Sequence, residues 1–256
     1  MKKIIGISAL TATALVLLRK YRAKGIGAAQ KPIWGIMDGR NSRIIGLSMM
    51  DISTILEFDN AVPPVMFKDR ENLIRWGASR RLFAEKIGKF SENDALRIRG
   101  SYLCQDGCRF EYNQIWVRAK YKGYARVLRN IAEKSFKHDH GDMRGIDADH
   151  VINRARLQQF SEAWVMLFPV PKGPNRGFGG KIEKYLPKPD ASTVSIELPP
   201  LIAFKLLCGK LPSTMSELTH AMQSNIRGRI MQDVPFAKEY CDQMEKDVAK
   251  FMSDIP

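Results

Sequence analysis

Apolar positions along the chain change their spacing several times, and each change predicts an element. From Asp69 onward, Leu73, Trp76, Phe83, Ile87 and Phe90 recur at steps of three, seven, four and three residues. That spacing predicts a helix capped by Asp69, with Arg75, Arg80, Arg81 and Lys86 on its polar face. The period then drops to two in Leu96, Arg97, Ile98, Arg99 and again in Val117, Arg118, Ala119, Lys120, Tyr121, so 96–121 reads as strands. Residues 124–136 return to a helical pattern with Val127, Leu128, Ile131 and Ala132 inward, and a polar, glycine-containing stretch follows through Asp149.

Further on, PKPDASTVSIELPP (187–200) has the composition of a linker and marks a soft boundary. The C-terminal part is helical again. Thr214 and Glu217 have capping-box spacing, and Phe236, Tyr240, Met244, Val248 and Phe251 form an apolar stripe suited to a core or to a partner helix. The expected organisation is an N-terminal hydrophobic and basic segment (1–31), an α+β domain (32–188) and a helical C-terminal region (199–256).

The segment IIGISALTATALVLL (4–18) is fifteen residues without a charge, preceded by Lys2 and Lys3 and followed by Arg19, Lys20, Arg22 and Lys24. The basic cluster directly behind it is a poor cleavage context, which favours an uncleaved anchor over an exported protein. The heavier positive charge on its C-terminal side places the following domain in the cytoplasm, tethered to the inner face of the membrane. Packing of the same run against the body of the protein is the competing reading.

Composition adds a direction. The chain has 256 residues, 45% of them hydrophobic, and a formal charge of +14, which excludes wholesale disorder and favours polyanionic partners, nucleic acid or an anionic membrane. Seven of the basic residues lie in 1–31, which holds no acid, so the remainder carries +7. The four cysteines, Cys104, Cys108, Cys208 and Cys241, contain no C-x-x-C pair and do not suggest a zinc ribbon. Cys104 and Cys108 flank an Asp-Gly turn signal and could face each other across a hairpin.

Candidate chemistry is concentrated in KHDHGDMRGIDADH (137–150). Three of the four histidines fall there, His138, His140 and His150, with Asp139, Asp142, Asp147 and Asp149. These seven groups suit a hard or borderline divalent metal. The more specific pattern is IDADHVIN (146–153), then AWVMLFPV (163–170), then PNRGFGGKIEK (174–184): an Asp-His ending a short strand, a second apolar strand and a helix starting near Asn175. Two antiparallel strands and a helix can bring Asp149, His150 and Asn175 together.

Over residues 145–186 this order resembles the HNH, or His-Me finger, nucleases, whose ββα-metal unit carries an Asp-His on its first strand and an Asn or His on its helix. The resemblance implies an α+β fold with a ββα-metal core, flanking helices and a helical C-terminal region. It implies His150 as general base, with Asp149 and Asn175 holding one divalent metal, Mg²⁺ or Mn²⁺ before Zn²⁺, against a scissile phosphate. Arg154 and Arg176 are placed to meet phosphate, with Arg156 nearby. The chain departs from the pattern in having Ser161, Glu162 and Ala163 where members usually have a second Asn, and in lacking their cysteine pairs. The expectation is a metal-dependent endonuclease acting on DNA or RNA. Its competitors are a non-catalytic nucleic-acid-binding or membrane-associated protein on the same scaffold and a small-molecule metalloenzyme using the histidine cluster.

Overall fold

The computed structural model describes residues 61–103, 109–136, 145–177, 179–208, 211–227 and 234–254. The segment 4–18, the thiols of Cys104 and Cys108, and His138 and His140 lie outside them. Among the described residues no helix is long and apolar enough to cross a membrane.

The fold is mixed α and β around a curled antiparallel sheet. Its strands are β1 (Pro64–Phe67), β2 (Phe83–Lys86), β3 (Ala95–Leu103), β4 (Arg109–Arg118), β5 (Ile146–His150), β6 (Trp164–Pro171) and β7 (Ser195–Glu197). The helices are α1 (Arg70–Ser79), α2 (Tyr124–Phe136), α3 (Lys172–Gly177), α4 (Gly179–Tyr185), α5 (Pro200–Cys208), α6 (Met215–Ala221) and α7 (Pro235–Asp254).

β6 organises the sheet because it is apolar throughout, and residues 163–170 are all buried. A run with no polar alternation needs partners on both edges and cover on both faces. Leu167 lies opposite Ile115 of β4 on one edge and His150 of β5 on the other; Val165 likewise lies between Val117 of β4 and Met66 of β1. β1 and β5 therefore share one edge of β6, one after the other, and the sheet forks there. At the outer end of β1, Phe67, Trp76 and Trp116 stack with ring centroids 5.5 to 6.4 Å apart, tying α1 to the sheet.

Asp69 caps α1 by accepting from the Asn72 backbone N–H at 2.8 Å. The helix is shorter than its apolar spacing predicts. It ends at Ser79, Arg81 turns into the left-handed region at φ 57°, and the Leu82 N–H returns to the Gly77 carbonyl. The seven-residue step from Trp76 to Phe83 is the place where the helical period breaks. Phe83 instead begins β2 on the sheet edge, paired with Arg99 and 66% exposed.

Helix α2 covers the predicted span, and β3 and β4 pair in unbroken antiparallel register from Ala95 and Val117 to Leu103 and Arg109. Within the linker-like stretch 187–200, β7 joins β1 as a short strand. Beyond it, α5 buries every residue from Leu201 to Cys208. It packs against α7, where four residues of the stripe expected from spacing, Tyr240, Met244, Val248 and Phe251, are buried and the fifth, Phe236, is partly buried. Thr214 caps α6 as the motif predicts, accepting from the Glu217 N–H while Glu217 accepts from Ser213.

Candidate functional site

The site is built at the end of β5, where a polar strand pairs with the apolar β6. Alternation along β5 sends Asp147 and Asp149 to one side and His150 to the other. The antiparallel β5 and β6 run on into α3 and α4, so four short elements converge on these three residues. Helices α2 and α5 close the sides.

Asp147 meets the first of these helices. It accepts from Asn175 Nδ2 at 3.3 Å and from Arg176 through both guanidinium edges, Nε at 3.0 Å and Nη2 at 3.1 Å. The Arg176 side chain is 68% exposed, so this pair sits at the solvent boundary. Water screens such a pair, so it contributes little to stability.

Asp149 has a different partner. Its carboxylate lies 2.6 Å from Lys205 Nζ, and Glu183 of α4 lies 3.5 Å from the same ammonium. Lys205 is the single charge in PLIAFKLLC, a helix that buries every residue from Leu201 to Cys208. Taking an ammonium out of water costs several kcal/mol, and only close carboxylates offset it. Two are supplied, from β5 and α4, and Glu183 also accepts from the Asn153 backbone N–H at 3.3 Å. Burial pushes both carboxyls above their ordinary range, while Lys205 pulls each back down.

His150 is 7% exposed, and its Nε2 has no hydrogen-bond partner. Its ring packs on Tyr124 of α2, centroids 4.2 Å apart and tilted by 60°. Burial, aided by the Arg154 charge, lowers its pKa to about 4. The imidazole is therefore neutral near pH 7, with a lone pair or N–H free at Nε2. A buried polar atom left without a partner costs about 1–3 kcal/mol, which a bound water or ligand would recover.

These groups line a cleft of about 910 Å³. Arg129, Arg154, Lys172, Arg176 and Lys205 line it together with Asp147, Asp149 and Glu183, an excess of cations over anions. Arg154 is exposed and lies over the Tyr124 ring at 5.9 Å. Arg156 is turned away: it donates to the carbonyls of Glu183, Leu186 and Pro187 and closes the carboxyl end of α4. Asn153 caps the short 3₁₀ turn that follows β5, accepting from Ala155 N–H at 2.9 Å.

All five residues singled out from sequence, Asp149, His150, Arg154, Asn175 and Arg176, line this one cleft. Asn175, however, meets Asp147 rather than Asp149. Tyr124, Glu183 and Lys205 were not singled out from sequence. Of these only Lys205 carried a signal, a lone charge inside an apolar helix.

Among the described residues no group of three or more His, Cys, Asp or Glu is arranged to hold a metal ion. The donors fit a hard cation in kind, being carboxylate and amide oxygens. They fit in place only at Asp147 and Asn175, where the neutralising Arg176 is exposed and displaceable. At Asp149 the cation position is filled by Lys205. The chain matches no known family model, no curated protein and no solved structure.

Proposed function

We propose that the cleft binds nucleic acid and hydrolyses a phosphodiester bond, with His150 as general base. One observation carries this reading: a buried, uncharged imidazole whose Nε2 has no partner belongs to a residue that lines the same cleft as Arg129, Arg154, Lys172 and Arg176. The order of β5, β6, α3 and α4 is also the strand, strand, helix order of a ββα-metal unit, and it supports the resemblance noted from sequence.

In the proposed reaction Nε2 takes a proton from water as its oxygen bonds to phosphorus, and the leaving oxygen departs as the P–O bond breaks, taking a proton from solvent. A base with so low a pKa is weak in the empty cleft. A bound phosphodiester sets a negative charge beside Arg154, offsets its repulsion and strengthens the base. Arg154 and Arg176 hold the phosphate. The divalent cation, Mg²⁺ or Mn²⁺, would be held by Asp147 and Asn175, leaving most of its positions to water and phosphate oxygens. When bound, it would stabilise charge developing on those oxygens.

The test is nicking of supercoiled DNA and cleavage of a folded RNA in Mg²⁺ by wild type and His150→Ala. The proposal expects a loss of about 10²-fold or more in the variant, with unfolding by heat still cooperative. Equal cleavage by both removes His150 as base. Salt-sensitive binding with no turnover by wild type replaces hydrolysis with the non-catalytic binding reading.

A further inference from the structure

The ammonium between Asp149 and Glu183 has a consequence beyond hydrolysis. Two carboxylates from separate elements, both largely buried, converge on one cation that arrives from the C-terminal helical region. Without that cation they would face each other in a site with little water, repelling and rich in oxygen donors. Such a pair is the type of site that recruits a hard divalent ion. We propose that Lys205 is the resident cation of a latent metal site: it fills from within the chain the position at Asp149 and Glu183 that a divalent ion would otherwise take.

Three observations agree. Lys205 is 1% exposed, so its placement is not incidental to a mobile surface chain. Its helix is otherwise wholly apolar, and among the described residues its charge is answered by this pair. The carboxylate two residues back, Asp147, is itself only partly exposed but is paired with an arginine whose side chain is 68% exposed, so that partner can give way to an external ion. Lys205 thus acts as a positioning residue: it fixes the strand end that carries His150 and confines any divalent ion to the Asp147 side of the cleft. The inference stands apart from the hydrolase reading, because it concerns cation binding and needs no turnover.

The experiment measures Mn²⁺ binding by the loss of the free-ion electron paramagnetic signal, using the full chain. In the wild-type background Asp149→Asn should leave Mn²⁺ affinity within about twofold, since Asp149 is already engaged. Lys205→Met should gain one further equivalent of Mn²⁺, which Glu183→Gln in the same chain removes. A tenfold loss of affinity in Asp149→Asn overturns the inference, because a metal then displaces Lys205 in the wild-type protein. A folded Lys205→Met chain with no added Mn²⁺ also overturns it. Should Lys205→Met fold only when Mn²⁺ is added, the ion has replaced the ammonium and the inference stands; should it not fold at all, the Asp149→Asn result decides. A wild-type protein that binds no Mn²⁺ agrees with the role of Lys205 and overturns only the metal position at Asp147 and Asn175.

Discussion

Asp147 and Asp149 lie two positions apart on the same side of one strand, yet they answer opposite demands. Asp147 is held by an exposed arginine and an amide at the mouth of the cleft, and Asp149 by a buried lysine at its floor. The difference lies in the helices behind the strand. α3 brings a long, solvated side chain on a short helix at the surface, whereas α5 brings its charge through an apolar helix buried on every side. The same kind of carboxylate is thus paired with a solvated arginine at one end of β5 and with a buried lysine at the other.

The largest expected effect breaks the buried side of this comparison. Lys205→Met leaves two buried carboxylates without their cation, and urea unfolding in a metal-free buffer should show a loss of about 3–5 kcal/mol. A loss below about 1 kcal/mol would mean that the trio is solvated and that the contrast with Asp147 is not real.

Acid sharpens the comparison next. His150 is neutral in the folded chain down to about pH 4, whereas in the unfolded chain it is protonated below about 6.5. Between these values the unfolded state binds more protons, so stability falls as pH falls through that window, by roughly 3 kcal/mol for this group in total. Asp149 and Glu183, whose carboxyls are raised, take up protons in the folded state and act in the opposite direction. The test is therefore the difference between wild type and His150→Phe, measured from pH 7 to pH 4. The wild type should lose stability relative to the variant as pH drops, and parallel curves would show that His150 is not buried in its neutral form.

Much of the scaffold was legible because one periodicity governs each element. The β3–β4 alternation, α2 and the stripe on α7 all follow from side chains that meet a single core. The end of α1 was not legible, because Phe83 and Ile87 extend a helical spacing although the chain has already turned at Arg81. The stretch 187–200 reads as a linker by composition and still contributes β7, whose side chains are exposed or only partly buried and whose role is backbone pairing with β1. That Asp149, His150 and Asn175 share one cleft could be expected from their order, although Asn175 meets Asp147 and not Asp149. Their partners could not, since Glu183 and Lys205 are brought to Asp149 by helix packing across distant parts of the sequence. Only the isolated lysine in PLIAFKLLC signalled that a buried carboxylate must be waiting for it.

The smallest expected effect is on the open side. Asp147→Asn removes a screened pair and should change unfolding free energy far less than Lys205→Met does, while weakening Mn²⁺ binding. A loss comparable to that of Lys205→Met would erase the distinction between the two ends of β5.

The most direct test of the central claim is chemical rescue of the base. Replacing His150 by Ala removes a buried ring and opens space beside Tyr124 for a free imidazole. Single-turnover cleavage of labelled DNA or RNA by His150→Ala should be slow alone and rise with added imidazole, following the neutral form of the buffer as pH is varied. A variant that cleaves as fast as wild type without imidazole, or a wild type that binds the substrate and never cleaves it, would contradict the assignment of His150 as general base.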